Sequence, residues 1–253
     1  MNNNIINIYL IFLISHIWAH SNLENYSKDK MIVPHKSEAI MKIDGLLNEN
    51  VWDSLSVIND FIQIEPKLNL EPSEYTELKM FYNDYSFYFS IKIYDDIDQV
   101  KFKDGKYDDF EGTFFENSDY FTIEFDSFHD HLTGYGFAVN SSGVKADYAI
   151  FEDSIYDDSW NGIWNAAIST NEKFWIIEAV IPINNLRFDY DNNLKMGINF
   201  NRYIYRNNEY ISWIEKNKEN YEGIVSNFGH LDKLNFLFKS RISIKPSIFT
   251  HKI

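Results

Sequence analysis

The chain has 253 residues, 45% of them hydrophobic and 17% aromatic, which is enough to build a substantial core and excludes global disorder. A net charge of −15 argues against nucleic-acid binding, which needs a basic surface to displace counterions, and against docking on anionic lipid heads, while it suits Ca²⁺ or neutral ligands such as sugars. There are no cysteines, so disulfides, thiolate catalysis and Cys-based zinc sites are excluded too.

At the start, residues 5–18 form an apolar run shorter than the about 20 residues of a membrane span. Ala19 and Ser21 follow as the small residues of a cleavage site. Residues 1–21 are expected to be a secretory signal peptide, with an uncleaved anchor as the alternative; export would make the protein secreted, periplasmic or outer-membrane associated. Residues 22–38 read as a polar linker, and residues 39–238 as one β domain.

The stretch KIDGLLNENVW, residues 42–52, is the most informative part of the chain. A strand over residues 39–43 is expected to end at the turn dipeptide Asp44-Gly45. Asn48 reads as the N-cap of a one-turn helix, with Glu49 at its positive end and Trp52 folded down as an apolar lid.

Strand-like runs then recur to the C-terminus. In residues 87–94, Phe87, Phe89, Ile91 and Ile93 share one face. In residues 119–126, Phe121, Ile123 and Phe125 share one face, and Tyr120, Thr122 and Glu124 the other. Further runs cover residues 75–82, 134–140, 144–150, 163–170, 173–181 and 196–206, separated by turn dipeptides such as Asn83-Asp84 and Ser142-Gly143. Pro182 ends a strand, and residues 183–186 fit one helical turn. The pattern predicts an all-β fold, an antiparallel two-sheet β-sandwich with short helical turns. Residues 239–253 begin a further alternating strand, the start of another or truncated domain.

Several groups invite a functional reading. Asp95 and Asp96, with Asp98, would offer oxygens to a structural Ca²⁺, as would Asp108, Asp109 and Glu111; a solvated acidic loop is the competing reading, since calcium needs about six to eight oxygens. His129 and His131 form an H-x-H pair without an evident third ligand, so surface histidines are favoured over a metal site. Trp160 and Trp164 would make an aromatic platform or simply pack on the sandwich edge. Trp213 either lines a ligand face or is core. Glu178 and Arg202 are expected to pair on adjacent strands, because a buried charge requires a partner. Paired carboxylates carry little weight in so acidic a chain. No G-x-S-x-G elbow, Walker loop or H-E-x-x-H helix is present, so no catalytic constellation is found.

Taken in order, KIDGLLNENVW, YTELKMFYNDYSFYFSIKIYDD, NSDYFTIEFD, GYGFAVN, FWIIEAVIPINNLRF, MGINFNRYIYR and NFGHLDKL resemble the family 9 carbohydrate-binding module over roughly residues 40–234. The closer likeness is to a subgroup at the front of large secreted proteins that continue as an outer-membrane β-barrel, whose first strand RISIKPSIF resembles. The resemblance implies a sugar-binding sandwich, often carrying structural Ca²⁺ and often fused to glycoside hydrolases. Two aromatic rings would clamp a terminal sugar. Phe115 and Tyr221 occupy those places, where the best-understood binders have tryptophan. Glu124 keeps the acidic residue of the central strand, Asn201 stands where a polar amide is expected, and Ala138 replaces a basic residue. Phe115, Glu124, Asn201, Trp213 and Tyr221 are thus the expected carbohydrate site. The physical logic of such a site is that the apolar C–H faces of a pyranose stack on rings while a few polar groups read its hydroxyls.

The expected function is non-catalytic carbohydrate binding in the service of carbohydrate catabolism, with no cofactor required beyond an optional structural Ca²⁺. Any glycoside hydrolase activity would belong to a fused or partner domain. The alternative is a structural or interaction cap on an outer-membrane barrel, with the sugar site lost.

Overall fold

Alternation of apolar and polar side chains decides the layers. The computed structural model describes residues 30–115, 117–188, 194–216 and 222–237. Fourteen strands lie among them: β1 (Met31–Ile32), β2 (His35–Lys36), β3 (Ile62–Glu65), β4 (Thr76–Tyr82), β5 (Ser86–Tyr94), β6 (Tyr120–Asp126), β7 (Gly134–Asn140), β8 (Lys145–Phe151), β9 (Ile155–Asp157), β10 (Asn165–Thr170), β11 (Phe174–Pro182), β12 (Leu194–Ile204), β13 (Glu209–Ser212) and β14 (Gly229–Leu234). One sheet has nine strands, in the order β1-β14-β12-β6-β7-β8-β9, with β13 and then β3 continuing from β12. The other has five, in the order β10-β11-β5-β4-β2. All pairings are antiparallel except those of the two-residue strands β1 with β14 and β2 with β4.

The expected sandwich is therefore present. Phe87, Phe89, Ile91 and Ile93 of β5 are fully buried and face Phe121, Ile123 and Phe125 of β6 across the core. The Phe87 and Phe125 rings lie 5.2 Å apart and the Phe89 and Phe125 rings 6.1 Å apart, tilted or edge-on as aromatic quadrupoles prefer. Strands β1 and β2 fall inside the stretch expected to be linker.

The segment around Asp44-Gly45 differs in detail from expectation. Residues 39–43 join no strand; Ala39 and Met41 pack instead beside Trp52 and Phe81. The turn is made as expected, with Gly45 at φ +80°, where a Cβ would fall 2.7 Å from the Ile168 carbonyl carbon. Asn48 is not the N-cap: a 3-10 turn over Asn50–Ser54 starts after Glu49 without a side-chain cap, and Glu49 accepts the Lys42 N–H. Trp52 does fold down as a lid, 2% exposed and edge-on to Phe81 at 5.4 Å.

Glu178 and Arg202 do not pair, because they belong to different sheets. The Glu178 carboxylate, on β11, accepts the backbone N–H groups of Asp44 at 2.9 Å and Gly45 at 3.0 Å, so it fastens the turn to the five-stranded sheet. Burial pushes its pKa up, against the pull of those two N–H groups. Arg202, on β12, donates to Asp95 Oδ2 at 2.5 Å, to the carbonyls of Tyr75 and Tyr94, and to the Thr76 hydroxyl. Its guanidinium is thus a strut between the sheets, the kind of answered charge that burial demands.

Glu178→Ala leaves two N–H groups unpaired beneath the turn, at about 1–3 kcal/mol for an unsatisfied buried group. It is expected to lower unfolding stability by about 2 kcal/mol or more, with Glu178→Gln, which keeps an acceptor, costing less. Urea unfolding of the two variants checks this, and equal stability of Glu178→Ala and the parent would refute it.

Candidate functional site

The face of the nine-stranded sheet turned away from the core carries a row of polar side chains. On β6 and β12 every second residue points outward. The register sets Thr122 opposite Asn201 and Glu124 opposite Asn199. On the other flank Thr122 meets Ala138 and Glu124 meets Gly136, whose partner on β8 is Tyr148. Gly136 is required here: a Cβ would fall 2.1 Å from Tyr148 Cζ and 2.6 Å from its hydroxyl. With no side chain at 136, Tyr148 leans across β7 and donates to Glu124 Oε1 at 2.7 Å.

A hydrogen-bonded floor results. Asn201 Nδ2 donates to Glu124 Oε2 at 2.9 Å and to Thr122 Oγ1 at 3.0 Å. Asn199 Nδ2 donates to Asn201 Oδ1 at 3.0 Å, and the Ser212 hydroxyl of β13 donates to Asn199 Oδ1 at 3.1 Å. Burial raises the Glu124 pKa, and the Tyr148 and Asn201 hydrogen bonds oppose that rise. Burial likewise raises the Tyr148 hydroxyl, so it stays a proton donor at neutral pH. Each Glu124 oxygen keeps acceptor capacity beyond the bond it already takes.

The walls make this floor the base of a cavity of about 320 Å³. One wall is a single π-helical turn, Phe110–Phe114, capped by Asp109, which accepts the Gly112 N–H and the Thr113 hydroxyl. This turn carries Phe115 to the mouth, 53% exposed, stacked on Phe110 at 5.6 Å and 25° and edge-on to Tyr120. Ile214, Lys216, Ile224 and Asn227 also line the cavity. Burial lowers the Lys216 pKa, and Glu124 draws it back up. Rings at the rim, amides and a carboxyl at the base, and a volume at the low end of small-molecule sites suit a compact, hydroxyl-rich ligand with an apolar face.

Solved structures share this architecture. A family 9 carbohydrate-binding module from Caldicellulosiruptor kristjanssonii, in complex with glucose, matches at a TM-score of 0.58 and 16% identity over 86% of this chain and 100% of its own. The same module in complex with cellotriose matches at 0.58 and 17% identity, with equal coverage. A provisionally described carbohydrate-binding protein from Bacteroides uniformis matches at 0.61 and 12% identity, covering 80% of this chain and 98% of its own. The chain has the fold of the family 9 carbohydrate-binding modules. No family model matches its sequence, and neither does any curated protein.

Within this family 9-like fold, Phe115, Glu124 and Asn201 line one cavity. Ala138 lies in the same lining. Tyr221 lies outside the described residues. Trp213 is a correction: it is 3% exposed in the main core, its ring against Phe200 and its Nε1 donating to Asp60 at 3.0 Å, because Trp213 follows the outward-facing Ser212 and so points inward. Trp160 and Trp164 pack on Phe137 at the sandwich edge, and Trp164 Nε1 donates to Asp147, so neither forms a platform. The calcium expectation finds no support. Asp95 places one oxygen on Arg202 and the other on Arg206, and Asp96 accepts the Gln99 amide. Among the described residues no group of three or more acids or histidines is placed to hold a metal ion.

Tyr148, Asn199 and Tyr210 of the lining went unnamed in the sequence. Asn199 was within reach, two residues before Asn201 on one strand face. Tyr148 was signalled by a glycine between aromatic neighbours in Gly134–Asn140, a gap that a ring on the next strand fills.

His129 and His131 are not merely surface residues. They gather with His230 of β14, ring centroids 4.7 and 5.0 Å from His129, and His129 Nε2 lies 2.9 Å from His230 Nδ1. Burial, then the neighbouring His131, His230 and Lys195, push His129 down to about 4, with Asp130 opposing.

Two predictions follow from this geometry. Gly136→Ala drives Tyr148 off Glu124 and is expected to lower unfolding stability by about 1–3 kcal/mol, the cost of leaving a buried hydrogen-bonding group unsatisfied; urea unfolding checks it, and a variant as stable as the parent would refute it. The second concerns pH. A histidine whose folded pKa lies below the ordinary 6.5 contributes stability above 6.5 that is lost as pH falls toward 4. Buried Asp126, raised to about 7, acts in the opposite sense over that window, so the informative quantity is the difference between two proteins. His129→Asn, which tolerates the φ of 55° at this position, is expected to make stability fall less between pH 6.5 and 4 than in the parent. Parallel urea-unfolding curves across that range would refute it.

Proposed function

We propose that this module binds carbohydrate without cleaving it, seating one hexose in the cavity above Glu124. The observation that carries the reading is a ring-rimmed cavity whose floor is a connected row of Ser212, Asn199, Asn201 and Glu124. Such a floor can donate to and accept from the vicinal hydroxyls of a pyranose, while Phe115 covers one apolar sugar face. Structures of the same fold hold glucose and cellotriose, which supports the choice of ligand class. We further read residues 1–21 as an export signal, so that the module would meet extracellular polysaccharide and deliver it to a fused or partner hydrolase.

Calorimetric titration with glucose, cellobiose and cellotriose tests this. Saturable binding in the millimolar range or tighter is expected. Phe115 is exposed, so Phe115→Ala should fold normally and weaken binding by about three- to tenfold, the worth of one aromatic contact. Absence of heat with every sugar up to tens of millimolar would remove the reading.

A further inference from the structure

The register of the turn beside the cavity decides where its rim ring stands. The Phe115 N–H donates to the Phe110 carbonyl at 3.1 Å, five residues back, and this spacing lays the Phe115 ring on that of Phe110. In an ordinary α-helical turn the Phe110 carbonyl would take the N–H of residue 114. Phe114 instead is fully buried, edge-on to Tyr120 at 5.8 Å. Two neighbouring rings thus part company at this point, one into the interior and one to the mouth.

The bonds that hold this turn are local and polar. The Asp109 carboxylate accepts the Gly112 N–H at 3.1 Å and the Thr113 hydroxyl at 3.0 Å, and the Asp109 carbonyl accepts the Thr113 N–H at 2.9 Å. Two glycines make room for this clasp: a Cβ at Gly112 would fall 2.5 Å from Asp109 Oδ2, and one at Gly105 would fall 1.9 Å from the Thr113 hydroxyl. At the far end the Asn117 amide donates to the carbonyls of Glu111 and Phe115, each at 2.7 Å, and the Ser118 hydroxyl donates to the Thr113 carbonyl at 2.6 Å. Asp109 is half-buried and does not itself line the cavity. Isolated π turns are rare and cluster at functional sites.

Resting on the carbohydrate reading, we infer that Asp109 is a positioning residue for the bound sugar: it locks the π-helical turn and, through the turn, presets Phe115 over the cavity. A ring half in solvent that the ligand had to order for itself would bind more weakly than one already in place. The competing reading is that the clasp serves only the stability of the turn. In that case its effect on binding is independent of Phe115.

The test is a double-mutant cycle read by calorimetry of the whole chain with cellotriose, urea unfolding confirming that each variant is folded. Asp109→Ala is expected to weaken binding about three- to tenfold, up to the whole worth of the aromatic contact. Asp109→Asn, which keeps an oxygen for the Gly112 N–H and is itself a good cap, should stay within about twofold of the parent. The Asp109→Ala/Phe115→Ala variant should bind no more weakly than Phe115→Ala alone, because the clasp acts through the ring. Thr113→Val removes only the hydroxyl bond to Asp109 and takes the place of Asp109→Ala in the same cycle if that variant does not fold, again with no further loss once Phe115 is gone. Binding of Asp109→Ala as tight as the parent's overturns the inference and leaves the sugar reading standing. A loss that adds in full to that of Phe115→Ala also overturns it, because Asp109 would then act on something other than the ring. If the parent binds no sugar, both readings fall together.

Discussion

The sandwich depends on a guanidinium buried between its sheets. Arg202 is fully buried, and the oxygens that answer it come from the start of β4, the end of β5 and Asp95 just beyond. Arg202 itself belongs to β12 in the other sheet. The two sheets are therefore joined at this end by directed bonds as well as by apolar contact. Removing one partner of a buried pair costs about 3–5 kcal/mol, because the survivor has nowhere to place its charge. Arg206 takes the second oxygen of Asp95 and also reaches Glu74, so the negative side of the joint is fixed in turn. Nearby, burial raises Asp119 to about 6 even though it accepts the Lys101 N–H. This end of the molecule holds charge only where geometry compensates it.

That strut also sets the site. On a strand a shift of one residue exchanges the faces. With Arg202 fixed inward, Phe200 and Ile198 must also face the core, and Asn201 and Asn199 must face out. The same logic on β6 sends Phe121, Ile123 and Phe125 inward, leaving Thr122 and Glu124 beneath the cavity. The polar floor is thus the reverse side of the core. No loop has to hold it, and its hydrogen bonds run across the sheet from β8 to β13 on rigid backbone. The floor is thus ordered by the same backbone pairing that orders the core.

The long strands were readable from the sequence because half-buried alternation persists in them for seven residues or more, as in β5 and β6. The two-residue strands β1 and β2 were not, since a pair of residues has no period. Asn48 looked like a cap on propensity alone, yet the backbone turns helical only after Glu49, whose carboxylate is occupied by Lys42. Glu178 and Arg202 were rightly seen as charges in need of partners, and wrongly given to each other. Strands adjacent in sequence, β11 and β12, sit in different sheets, and nothing local records that crossover. Glu124, Asn201 and Phe115 were named from the resemblance, whereas Tyr148 reaches the cavity only because Gly136 lets it pass, a relation between two strands that one strand cannot reveal.

The same distinction explains how a shared fold persists at 12–17% identity. A core row needs apolar side chains of roughly the right volume, and Phe, Ile, Leu and Met exchange there at modest cost. The polar floor is different, because each member answers a particular neighbour: Asn201 must offer its amide to both Thr122 and Glu124, and Gly136 must remain bare for Tyr148. The rim lies between these extremes. Phe115 is held by stacking on Phe110 at the end of a single π-helical turn and is otherwise half in solvent, so the scaffold places few demands on it. Rim side chains such as Phe115 are therefore positions that can change while the sheet beneath stays as it is.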